Sequence, residues 1–468
     1  MSDPTDRATT GTPDRHVERR RAFHRRPEPG WCEFLTTSRL VEELESIGVD
    51  GLHVGREALP GEARMAVPDA AELETWFERA RESGAREDVL AATEGGHTGV
   101  VAVLDRGEGP HVALRVDIDG LPVEESADGS HRPASEGFRS GHEGWMHACG
   151  HDAHMAIGLG VLEAVKASDF EGRFTVLFQP AEEVGGGGKP MAESEHVEGV
   201  DYLLAVHLGL DHPSGEVVGG TIEQLAVSNL RVGFRGRSAH AGKEPNEGAN
   251  AMQATATAVT NAHGIPRHAD GATRVNFGRA EVGTAANVIA EEATLWGEVR
   301  GETTELMEYT REELRRIVRA AGEMHGCESS FEVVSGAPRA DSDGALAELV
   351  AGVAGDDDRV DSAVRLDAFG ASEDATHLVR AVQEGGGLAT YAIVGTDHPG
   401  AHHTPTFDVE ESDLALAVDV LAGSVLRVAA ERPTRGDRGR DDDRRTNDDR
   451  RTNDDRRTND DREGVTGG

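Results

Sequence analysis

The chain has 468 residues, with 86 Asp and Glu against 48 Lys and Arg, and a formal net charge of -38. Such an excess of negative charge excludes nucleic acid and anionic membrane surfaces as natural partners, because both would be repelled. Only Lys166, Lys189 and Lys243 among the basic residues are lysines; this acid-rich, Lys-poor balance is expected of a halophilic cytoplasmic protein, its self-repulsion screened by salt. No stretch approaches the ~20 apolar residues of a membrane helix. Residues 1–15 are polar, without the apolar core of a secretory signal, and are expected to be disordered. Cys32, Cys149 and Cys327 lie too far apart to make a disulfide framework, which fits a reducing compartment.

In chain order, helical spacing appears over Phe34–Ile47 and Ala70–Arg81. Val100–Leu104 and Val112–Val116 are short apolar runs bounded by Gly, Asp and Pro, the pattern of buried strands. After the helical stretch Ala153–Val165, the runs Phe174–Phe178 and Tyr202–Val206 repeat that strand pattern. Near residue 226 the texture changes. Strand patterns at Asn229–Phe234, Arg274–Arg279, Ala293–Arg300 and Ser329–Val334 alternate with helical ones at Ala249–Ala262 and Glu305–Met324. The order β-α-β-β-α-β is that of a ferredoxin-like module. The fold class expected is therefore α/β, with a first catalytic part over 16–225, an inserted module over 226–335 and a second catalytic part over 336–432. From Pro433 the apolar periodicity is lost, and Arg-Arg-Thr-Asn-Asp-Asp recurs from Arg444, Arg450 and Arg456, so 433–468 is expected to be a disordered charged tail.

Chemistry concentrates at four places. Cys149 and His151 stand two apart just before a helix, with Gly150 allowing a tight turn between them. Soft and borderline ligands of this kind suit Zn, Mn, Co or Ni. Glu182 and Glu183 follow a strand, so one can ligate a metal while its neighbour faces substrate as a proton shuttle. His207 ends the strand Tyr202–Val206, and His402-His403 follow the apolar run Tyr391–Val394. Each feature alone is commonplace: a buried thiol, a solvated acidic pair, a packing histidine. Together they supply one Cys, three His and one Glu at strand ends, enough for two metals sharing a bridge.

These segments resemble the peptidase M20 family, specifically its subfamily D amidohydrolases. The resemblance rests on Arg21-Ala-Phe-His-Arg-Arg-Pro-Glu28, Glu33 to Glu43, Met146 to Gly160, Phe178 to Glu183 and His207-Leu-Gly209. Gly370-Ala-Ser-Glu-Asp-Ala-Thr376 and His402-His403 through Phe407-Asp408 complete it. It implies an α/β/α metallopeptidase domain with an inserted ferredoxin-like (βαββαβ) lid used for dimerisation, with itself or with a related subunit. It also implies two divalent metal ions, Mn or Zn with Co or Ni tolerated, on Cys149, His151, Glu183, His207 and His403. His403 is preferred to His402 because the family's ligand precedes Thr404-Pro405.

The implied activity is hydrolysis of the amide of N-acyl or N-aroyl amino acids by metal-activated water, with Glu182 as general base and p-aminobenzoyl-glutamate as candidate substrate. The rivals are a broader hydrolase of hippurate or N-acetyl amino acids, and a non-catalytic partner subunit that binds acyl-amino acids. On the lid, His240 matches a histidine that polarises the substrate carbonyl and Asn287 a contact to a substrate carboxylate, while Arg300 is a further substrate-binding candidate whose alternative is pairing with lid acids. Asp117, Asp119 and Asp152 are the acids expected to support the ligands from behind. Ala153, Val184 and Ala290 depart from the family's common pattern without removing a ligand.

Overall fold

The computed structural model describes residues 13–435; the first twelve residues and the hexamer repeats lie outside the described residues. Pro13–Arg15, expected within the loose N-terminus, form the first turn of a helix spanning Pro13–His24. Arg15 is held there by an ion pair to Glu163.

Fourteen strands are found among the described residues. They are β1 Gly51–Val54, β2 Val100–Asp105, β3 His111–Asp117, β4 Arg173–Gln179, β5 Tyr202–Leu208, β6 Glu216–Val218 and β7 Thr221–Ile222. After them come β8 Ala226–Arg235, β9 Thr273–Val282, β10 Glu292–Gly301, β11 Glu328–Ala337, β12 Ser362–Val364, β13 Asp367–Ala368 and β14 Leu388–Val394. The large sheet runs β1-β2-β4-β3-β5-β14-β6-β12. Its centre, β4, β3, β5 and β14, is parallel.

Every residue of β5 and β14 is buried, which is why these strands read as unbroken apolar runs rather than alternating ones. On one side, Leu204, Val206 and Val116 pack with Leu159 and Leu162 of the helix His151–Ala167 and with Leu414 and Leu421 of the helix Ser412–Glu431. On the other side, Ala113, Leu177 and Leu203 pack with Trp31, Met191 and Val379. The domain is an α/β/α sandwich.

Strands β8 to β11 form a second sheet in the order β11-β8-β10-β9, antiparallel throughout. Here burial alternates along β8. Leu230, Val232 and Phe234 face Ala254 and Ala258 of the helix Ala251–Ala262 and Leu314 and Val318 of the helix Thr304–Met324. One helical layer covers one face, so a period of two suffices. This is the ferredoxin-like lid, inserted between β7 and the second catalytic segment. The observed elements extend the expected ones by one to three residues at most ends, as in β11, which continues through Ser335 to Ala337. No helix among the described residues is long and apolar enough to cross a membrane.

Candidate metal centre

The site lies where the parallel strands end, the usual place for ligands in an open α/β sheet. β3 ends at Asp117 and leads to Asp119, β4 ends at Gln179 before the Glu182-Glu183 turn, and β5 carries His207. Gly150 has φ 87°, a left-handed residue that turns the chain between Cys149 and the first helical residue, His151. Of the non-glycine residues in that strained region, two lie at the site, Ala181 with φ 58° and His403 with φ 62°. Each is over-determined by its surroundings. Ala181 N–H donates to the buried Glu33 carboxylate at 2.8 Å, and His403 N–H donates to Ala148 O at 2.8 Å. Beyond the turn, a Cβ on Gly187 would meet Pro180 O at 1.7 Å, so only glycine lets the chain return so closely.

The side chains converge in overlapping groups whose ligand atoms lie within 4.8 Å of one another. Cys149, His151 and His207 form one, Cys149, Glu183 and His403 another, and His151, Glu182 and Glu183 a third. All five expected ligands are therefore brought together, with Cys149 common to two groups and Glu182 alongside. His402 goes elsewhere: its Nε2 faces Leu208 O at 3.3 Å, and its ring lies against His207 and Phe407.

Two buried polar atoms in this cluster, His151 Nε2 and Glu183 Oε1, have no hydrogen-bond partner. They lie 3.7 Å apart. Unpartnered buried donors and acceptors are rare and costly, and here they sit among a thiol, imidazoles and carboxylates. That donor set fits a borderline divalent cation.

The charges point the same way. Burial, then the nearby Glu183, pushes the Cys149 thiol up. Burial and the facing Glu373 raise Glu182 well above the carboxylate range. Burial lifts Glu183 to about 8 against the opposing pull of His151. His151 is itself disfavoured as a cation by burial, yet the Asp117, Asp119 and Glu183 carboxylates together outweigh that and hold it up at about 10. A cluster that pushes its acids towards neutrality is one built around added positive charge.

Behind the cluster, Asp119 uses one oxygen and its carbonyl on His151 Nδ1, at 3.2 and 3.0 Å, and its other oxygen accepts Glu183 N–H at 3.0 Å. Asp117 accepts from His154 Nδ1, whose Nε2 accepts Leu208 N–H at 2.9 Å next to His207. His207 Nδ1 donates to Leu208 O at 2.7 Å, leaving Nε2 turned to Cys149 Sγ at 3.4 Å. Asp152 supports differently from Asp117 and Asp119. It touches none of the ligands and binds Arg20 and His24 instead.

Two elements were not singled out in the sequence. Arg115, fully buried, pairs with Asp117, Glu373 and Asp374 and donates to Gln179. Glu373 also accepts the Tyr391 hydroxyl. A charged residue inside the apolar run Val112–Val116 was the available signal, since a buried guanidinium requires acidic partners.

The lid residues lie apart from this cluster. His240 and Asn287 are exposed on adjoining loops joined by an Ala241 N–H to Asn287 O bond of 3.0 Å. Arg300 is gripped through two bonds by Glu298 of the same strand. Among the described residues, no hydrogen bond or ion pair joins these three to the cluster.

An α/β/α domain with Cys, His and Glu candidate ligands gathered near its strand ends, and an inserted ferredoxin-like lid, defines a metal-dependent amidohydrolase. The chain belongs to peptidase family M20/M25/M40, whose model matches residues 113–427. It is 41% identical over 420 residues to indole-3-acetyl-aspartic acid hydrolase of Enterobacter agglomerans, covering 88% of this chain and 95% of that protein. It is 40% identical over 415 residues to one of the subunits of p-aminobenzoyl-glutamate hydrolase from Escherichia coli (strain K12), covering 87% and 94%. The crystal structure of an aminobenzoyl-glutamate utilization protein from Klebsiella pneumoniae superposes with a TM-score of 0.76 at 36% identity, covering 88% of this chain and 96% of that one.

Proposed function

We propose that the chain hydrolyses the amide bond of N-aroyl or N-acyl amino acids, with Cys149, His151, Glu183, His207 and His403 holding two divalent ions. The observation that supports this most is the sharing of Cys149 between two ligand groups with Glu182 beside them. When bound, such ions lower the pKa of an attacking water and polarise the scissile carbonyl. Glu182 takes the proton from that water as the new C–O bond forms, then delivers it to the amine as the C–N bond breaks. Its raised proton affinity, from burial and Glu373, suits a group that must hold the proton between the two events. His240 donates to the carbonyl oxygen as negative charge develops there. Asn287 receives the substrate carboxylate, and Arg300 joins it on leaving Glu298. Mn or Zn is the expected metal, with Co and Ni compatible with the same donors.

The substrates named for the two relatives both place an aromatic acyl group on an acidic amino acid. An aroyl-glutamate or arylacetyl-aspartate is therefore the favoured class, p-aminobenzoyl-glutamate first among them. Hippurate and N-acetyl amino acids are the broader alternative. One relative carries the name of a subunit within its hydrolase, which favours a partner chain; docking through the lid, with that partner or a second copy, and a cytoplasmic setting belong to the same proposal.

The test loads the protein with Mn2+ or Zn2+ and follows amine release from p-aminobenzoyl-glutamate, indole-3-acetyl-aspartate, hippurate and N-acetyl amino acids. Turnover is expected on the first two, and no turnover of any would overturn the reading in favour of a non-catalytic binding protein. Glu182→Gln is expected to lower kcat by about 10²–10⁴-fold, the usual worth of a general base, while metal content stays at the wild-type level. Loss of metal instead would make Glu182 a ligand.

A further inference from the structure

The segment from Arg21 to Glu28 is one of the stretches that carry the family resemblance, yet no role in the reaction falls to it or to its neighbour Arg20. The Arg20 side chain is 1% exposed. Its Nε donates to Asp152 Oδ2 at 2.8 Å, its Nη2 to Asp408 Oδ1 at 2.5 Å, and its Nη1 to Glu411 Oε1 at 3.1 Å. Asp152 is the residue after His151, in the first turn of the helix that Cys149 and Gly150 lead into. Asp408 follows His403 by one short loop and is itself buried. One guanidinium thus grips the two chain segments that carry ligands from opposite ends of the sequence.

Both acids have a second partner: His24 shares Asp152 Oδ2 with Arg20, and Arg132 takes the other oxygen of Asp408. His24, one turn on from Arg20, places Nδ1 on Asp152 at 2.8 Å and Nε2 on Glu125 at 2.9 Å. Asp408 accepts Arg132 Nε at 2.8 Å. The neighbouring Arg19 provides an internal contrast. It is almost as buried, at 4% exposed, and is also paired twice, but with Glu43 and Glu163, far from any ligand.

We propose that Arg20 is a positioning residue for the metal centre, whose guanidinium sets the Cys149–His151 segment and the His403 segment in register with each other. The planar fork suits this role, because the three acceptors are met by three separate nitrogens, Nε, Nη1 and Nη2, whereas an ammonium offers all its donors from one nitrogen. This role rests on the metal-centre reading above.

The experiment titrates chelator-treated full-length protein with Mn2+ by calorimetry and records Tm without metal for each variant. Arg20→Lys and Asp408→Asn are expected to weaken Mn2+ binding by about 10–100-fold, the range for disturbed support behind metal ligands. Arg19→Lys is expected to lower Tm and leave Mn2+ affinity at the wild-type value. If Arg20→Lys does not fold, Asp408→Asn decides, since it keeps the shape and removes one grip. Wild-type affinity in Asp408→Asn or in a folded Arg20→Lys overturns the proposal, as does an equal loss in Arg19→Lys. A wild-type protein that binds neither Mn2+ nor Zn2+ overturns the metal-centre reading together with it.

Discussion

The two regions expected to meet substrate are built in opposite ways. At the strand ends, His151, Glu183 and His207 each lean on a second group, while the His403 side chain stays exposed. Asp119 holds both His151 and Glu183, His154 bridges Asp117 to the backbone beside His207, and Glu33 pins the strained Ala181. On the lid, His240 and Asn287 are exposed, and His240 Nδ1 accepts only from Gly242 N–H, at 3.1 Å. The first region is pre-organised by one chain, as ligands for a cation must be. The second carries exposed polar side chains, which the proposed function assigns to substrate.

The sharpest way to break that contrast is at His240. His240→Ala is expected to reduce kcat by about 10²–10³-fold, the usual worth of one carbonyl-polarising donor, with metal content unchanged. Loss of metal on that substitution would place His240 with the first region. Next in size, Asp119→Ala should weaken metal binding by about 10–100-fold, because His151 and Glu183 would lose a common brace. A variant with wild-type metal affinity but lower kcat would show that Asp119 serves the reaction and not the ligands.

The smallest effect lies at the other end of β3. Burial, helped by Arg173, holds His111 down at about 4, while its ordinary value is 6.5. Because the folded value is depressed, its contribution to stability is fully present above pH 6.5 and is lost as pH falls towards 4. His111→Gln should therefore flatten the acid side of the stability profile by at most ~1.4 kcal/mol per pH unit, measured by urea unfolding across that range. Activity near neutrality should be unaffected, since His111 and Asp117 stand at opposite ends of the strand.

The parallel core was legible because strands buried on both faces leave unbroken apolar runs, as in Tyr202–Val206. The lid was legible because a sheet covered on one face alternates, as in Asn229–Phe234. Glu182, Glu183 and His207 stood out because they follow such runs, and Cys149 and His151 because they stand two apart just before a helix. The braces did not. Arg115 finds Glu373 across 258 positions, and Arg20 finds Asp408 across 388, distances over which one sequence carries no pairing signal. Asp152 sits inside the most visible motif, yet its partner lies in the N-terminal helix, so proximity to ligands in sequence was a poor guide to what it supports.

The position of β14 bears on when this site can come into being. β14 lies between β5 and β6 and pairs with both, and the loop bearing His403 follows it. During synthesis the lid's strands and helices emerge as one contiguous stretch able to collapse on local contacts. The large sheet, by contrast, stays divided until β14 is delivered. The Cys149–Glu183–His403 group can therefore close only once β14 has joined the sheet and brought the following loop to it.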